Sequence, residues 1–161
     1  MKEIRLEAPF LAIVIAALAL CASVAAASEP IATADTNWEG VTVNVMTLTR
    51  KGNILTVKFS AVNNGSENQK VAVGFTGHDV CYVVDEDSGS KYYVLTDQEG
   101  NPVASAKDWM PNSTSGINRE VAPGKVLRVW MKLPAPPPEV SSVSIFLNET
   151  DPIEDVAITD L

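Results

Sequence analysis

Histidine and cysteine are scarce in this chain of 161 residues: it has one His and two Cys, and only 6% of it is aromatic. So small a stock of imidazole and thiol leaves almost no material for a metal cluster or a nucleophile–base pair. Basic residues are also few, with 12 Lys+Arg against 20 Asp+Glu and a formal charge of −8. That balance argues against nucleic-acid binding, which needs a net basic face. After Ala27 no stretch carries an apolar helical stripe, so a helical domain is not expected. What remains, 46% hydrophobic and 20% charged, is the composition of a globular chain rather than a disordered one.

The first 27 residues read as a signal peptide. Lys2 and Arg5 supply a basic start, and Phe10–Leu20 is an unbroken apolar run of 11 residues. Such a run matches the hydrophobic region of an export signal and falls short of the roughly 20 residues that span a bilayer. Ala25-Ala26-Ala27 is a small-x-small cleavage site, with Ser28 the first mature residue. Lipidation at Cys21 would need a small residue before it, and Leu20 occupies that position. The expectation is an exported protein, periplasmic or extracellular, with no stable membrane span after cleavage. Only Cys81 then remains, so no intramolecular disulfide can form, and an unpaired thiol in an oxidising compartment is expected to be buried.

Residues 28–37 are small and polar and read as a flexible leader; residues 38–161 read as one domain. Within it the apolar rhythm has a period of two. Val41, Val43 and Val45 alternate with polar residues, as do Leu55, Val57, Phe59 and Ala61. Val71, Val73 and Phe75 follow, then Leu127, Val129, Met131 and Leu133, then Val143, Ile145 and Leu147. Cys81–Asp85, Tyr92–Thr96 and Val156–Thr159 add shorter strands. Each longer run predicts a strand with one face on a core and the other in solvent. Arg50-Lys51-Gly52-Asn53, Asn63-Asn64-Gly65-Ser66 and Pro123-Gly124 supply turns, and residues 97–118 form the longest irregular stretch. Seven to nine short, mostly antiparallel strands predict a two-sheet β-sandwich.

Several segments together resemble a group of uncharacterised bacterial exported domains with an immunoglobulin-like sandwich fold. The likeness is carried by Asn53-Ile54-Leu55-Thr56-Val57-Lys58-Phe59 with Asn63-Asn64-Gly65, and by Tyr92-Tyr93-Val94-Leu95-Thr96-Asp97 with Gly100-Asn101-Pro102-Val103-Ala104-Ser105. Pro123-Gly124, Trp130-Met131-Lys132-Leu133-Pro134-Ala135-Pro136-Pro137 and Ile153-Glu154-Asp155-Val156 complete it. The resemblance implies a fold and an envelope address; it brings no active site with it. A single mature Cys cannot supply the Cys–Trp–Cys core of antibody domains.

Three groups of residues bear on function. Arg128, Trp130 and Lys132 project from one face of a strand, opposite its core set, and an aromatic between two cations is a contact patch for an envelope protein or a glycan. Met46, Leu48 and Phe146 are expected on outer faces, extending such a surface. His78 and Cys81 are the one close His–Cys pair, offering an alternative role in copper or zinc handling with methionines as soft ligands. Two ligands do not close a tetrahedral site, and no oxyanion hole or orienting group accompanies the pair, so a hydrolytic enzyme ranks lowest. Asp85-Glu86-Asp87, with Asp97 and Glu99, offers hard oxygen donors but misses the spacing of a twelve-residue calcium loop. The expectation is a non-catalytic binding or accessory module without a cofactor.

Overall fold

Eleven strands and no helix make up the described part of the chain, residues 29–77, 81–105 and 115–161 of a computed structural model. In chain order they are β1 (Ala32–Asp35), β2 (Val41–Lys51), β3 (Ile54–Asn63), β4 (Gln69–Thr76), β5 (Tyr82–Asp85) and β6 (Ser90–Tyr93). β7 (Ser115–Val121), β8 (Val126–Pro134), β9 (Ser142–Phe146), β10 (Ile153–Ala157) and β11 (Thr159–Asp160) follow. The signal segment with Cys21, His78, and residues 106–114 of the long irregular stretch lie outside the described residues.

One sheet has the order β1-β2-β3-β8, a second has β10-β9-β5-β6, and β4 pairs with β7 in a third. All pairings are antiparallel except that of β11, which runs parallel to β2 at Thr49–Arg50 on the edge that β1 occupies nearer Val41–Val45. The stretch expected to be a leader therefore contributes a strand. Ala32 and Ala34 alternate with Thr33 and Asp35, and the two alanines pack inward, where small side chains let an edge strand lie close to the core.

The period-two runs turn their apolar sets into one shared cluster that includes Val43, Leu55, Val73, Val83, Met131 and Ile145. One inward position of β2 departs from simple alternation. Val45 faces Phe59 and Thr47 faces Lys58, so Met46 is an extra residue and β2 is bulged there. The bulge shifts the alternation by one: Leu48 is buried in the core, opposite Val57, and not on the outer face. Met46 and Phe146 are half-buried.

The same shift brings Arg50 inward. It lies in β2 rather than in the expected turn, and is only 6% exposed. Its Nη1 donates to the carbonyls of Pro137 at 2.7 Å and Val140 at 3.0 Å, and its Nη2 to that of Pro138 at 3.1 Å. Prolines have no N–H to donate, so beyond Ala135, whose N–H donates to Asn53 O, Pro136–Pro138 cannot tie themselves into the sheet. The guanidinium supplies donors to their carbonyls instead.

β7 was not expected within the irregular stretch. Gly116, Asn118, Arg119 and Glu120 favour no strand, yet Ile117 and Val121 are buried and the segment pairs with β4 along most of its length. At the far end of β3, Asn63 is fully buried; its Nδ2 donates to the carbonyls of Glu67 and Val121. Beyond it, Gly40 (φ +70°) and Gly65 approach so closely that a Cβ on Gly40 would fall 2.8 Å from Gly65 Cα.

Candidate functional site

β8 places its residues alternately on two faces. Val129, Met131 and Leu133 are buried, while Arg128, Trp130 and Lys132 are exposed on the other side. The indole of Trp130 is 39% exposed, about what a half-covered aromatic on an open sheet face shows. The neighbouring strand adds a residue to this group: Lys58 of β3 lies directly opposite Trp130, with Ser60 opposite Arg128 and Thr56 opposite Lys132. Directly opposite residues bring their Cβ atoms to about 5 Å, so Lys58 and Trp130 are cross-strand neighbours on this face. Sequence alternation marks Lys58 as outward-facing; its place next to Trp130 follows only from the β3–β8 register.

Beside the indole is an open depression of about 690 Å³, lined in part by Asn44, Met46, Ser60, Val62 and Val126. Among the described residues none of Lys58, Arg128 and Lys132 is in an ion pair. The backbone edge of β8 at Trp130 and Lys132, by contrast, is already occupied. Leu95 N donates to Lys132 O at 2.8 Å, Lys132 N to Val103 O at 2.9 Å, and Ser105 N to Trp130 O at 2.8 Å. The Ser105 hydroxyl accepts from Trp130 N at 2.9 Å. Residues 95–105 thus close this edge, and the side chains of the face are what β8 has to offer.

Cys81 immediately precedes β5 and has no solvent exposure. Burial pushes its thiol up to about 12, with a hydrogen bond from the Asn148 backbone acting in the opposite direction. A metal ligand must be the thiolate, and this environment opposes thiolate formation. The Sγ points at Asn148 Oδ1, 3.6 Å away. Asn148 also bridges to β4: its Oδ1 accepts from Gly74 N at 3.0 Å and its Nδ2 donates to Ala72 O at 2.8 Å. The thiol is part of a packed joint between β4 and β5. Its suggested partner His78 lies outside the described residues.

The acidic turns use their own carboxylates. Asp85 accepts from Asp87 N and the Ser88 hydroxyl, and Asp97 accepts from the backbone N–H groups of Glu99 and Asn101. Both are side chains folding their own turn. Among the described residues no three His, Cys, Asp or Glu side chains gather as a metal would need. No helix there is long and apolar enough to cross a membrane. No family model and no curated protein matches the chain.

Proposed function

We propose that this chain is a non-catalytic binding or accessory module exported to the bacterial cell envelope, an immunoglobulin-like β-sandwich that engages its partner through the outer face of β3 and β8. The observation that carries this reading is the grouping of Arg128, Trp130 and Lys132, with Lys58 across from the indole, on one exposed face. An aromatic body among cations supplies apolar area and charge together, the combination enriched at recognition surfaces. The shared core of antiparallel sheets supports the sandwich, and the apolar run Phe10–Leu20 followed by Ala25-Ala26-Ala27 supports export.

The test is affinity capture from the envelope fraction of the source cells, comparing the natural protein with Trp130→Ala. Loss of the captured partner at an unchanged melting temperature supports the reading. Unchanged capture, or a large fall in melting temperature that assigns the indole to packing, overturns it.

A further inference from the structure

We propose that the β3–β8 face takes an anionic polysaccharide of the uronate type, with Trp130 stacked on one sugar ring and Lys58, Arg128 and Lys132 meeting the ring carboxylates. This rests on the reading above that the face is where the protein works, and it names the chemistry of the partner.

Charge is the first argument. The chain as a whole carries −8, yet the three cations around Trp130 form no ion pair among the described residues. An acidic protein that sets cations around one aromatic builds a local positive potential against its own net field. That potential favours an anion. Spacing is the second argument. Residues two apart on a strand are about 6.7 Å apart, so Arg128 and Lys132 flank Trp130 at that distance, and Lys58 sits on the adjacent strand. Cations are thus distributed around the aromatic plane, as a ligand with charges repeating along a ring-built chain requires.

The bonding of the strand edge separates a sugar from a peptide. An extended acidic peptide gains much of its affinity by adding to a free strand edge. The edge of β8 at Trp130 and Lys132 is already bonded to residues 95–105. A ligand here must be held by side chains: ring stacking on the indole, charge, and contact with the adjoining depression, whose wall joins Met46, Val62 and Val126 to the Asn44 amide. A sugar chain, with apolar ring faces and polar edges, fits those means. A lipid surface fits less well, because Trp130 sits in the middle of a strand and not at a protruding tip.

The protein is titrated calorimetrically and by tryptophan fluorescence with oligogalacturonate, a neutral maltooligosaccharide of matched length, polyglutamate, and phosphatidylglycerol vesicles. Binding to oligogalacturonate alone, weakened by added salt, is the expected result. Trp130→Ala is expected to weaken it about tenfold, and Lys58→Gln or Arg128→Gln about fivefold each. Equal binding to polyglutamate or to the vesicles, or binding untouched by Trp130→Ala, overturns the proposal; thermal melts of the glutamine variants confirm that the fold is retained. If no probe binds while envelope capture still depends on Trp130, the polysaccharide assignment falls and the face stands. If capture is also independent of Trp130, both fall.

Discussion

Arg50 grips Asp160 with two parallel bonds, Nε to Oδ1 at 2.6 Å and Nη2 to Oδ2 at 2.9 Å. The guanidinium is buried and the carboxylate is 68% exposed, so the pair reaches from the core to the surface near the C-terminal end of the chain. With its remaining donors Arg50 holds the proline segment, and thus fastens two stretches that have little ladder bonding of their own. Fork geometry matters more here than charge, since Lys has neither the plane nor the number of donors.

Both Arg50→Lys and Arg50→Met are therefore expected to destabilise the protein by about 2 kcal/mol, by leaving the part-buried carbonyls of Pro137, Pro138 and Val140 short of donors. Chemical denaturation measures it. Asp160 adds a pH dependence. The bond from Arg50 holds its carboxyl below the ordinary value, with burial opposing slightly. A lowered folded-state pKa gives stability that is present above the ordinary carboxylate range, about pH 4, and is lost as pH falls through the lowered value. The melting-temperature gap between the natural protein and Asp160→Asn should thus be full at neutral pH and close in acid. Added salt should narrow it, because the carboxylate faces water.

Cys81 behaves in the opposite sense. Its folded-state pKa, raised to about 12 mainly by burial, lies above that of the unfolded thiol. The corresponding stability is present below about pH 8.5 and is lost as pH rises toward 12. Cys81 should ignore aqueous thiol reagents in the folded protein and react once denatured. The stability lost in Cys81→Ala should shrink as pH is raised past about 9, since the variant has no thiol to ionise on unfolding. Rapid labelling of the native thiol would contradict its placement.

Asn148 joins strands through its side chain rather than its backbone. Asn148→Asp keeps an acceptor for Gly74 N but sets an oxygen against Ala72 O, where the amide now donates. Asn148→Ala removes both bonds. Each variant is expected to lose about 2 kcal/mol. Faster amide hydrogen exchange at Gly74 than in the natural protein should accompany Asn148→Ala, where the N–H loses its acceptor.

Much of this architecture is legible in the sequence where alternation is unbroken. Val41–Val45, Leu55–Ala61 and Leu127–Leu133 announce their faces, and the last of these also announces the exposed trio Arg128, Trp130 and Lys132. Legibility ends where a fact about pairing is needed. Lys58 joins the trio only through inter-strand register, and β7 is a strand because β4 and the core hold it, against the propensity of Gly116 and Asn118. Arg50 follows a residue pattern that reads as the approach to a turn, and residues 32–35 look polar enough to be a leader until their alanines find β2.

The bulge at Met46 is where alternation and pairing give different faces, and stability tells them apart. If alternation ran unbroken through β2, Met46 would face outward and Leu48 with it; with one extra residue, Leu48 enters the core against Val57 while Thr47 takes the outward place opposite Lys58. Truncating a buried leucine costs about 3 kcal/mol through lost burial and the cavity left behind, and truncating a half-buried methionine at a bulge costs about 1 kcal/mol. Leu48→Ala should therefore lower stability far more than Met46→Ala in urea unfolding. Deleting Met46 should cost less than Leu48→Ala, because it leaves Val45 opposite Phe59 and Thr47 opposite Lys58 as consecutive pairs, with Leu48 and Arg50 still turned inward. Equal effects of the two alanine variants would restore simple alternation and remove the reason Arg50 points inward.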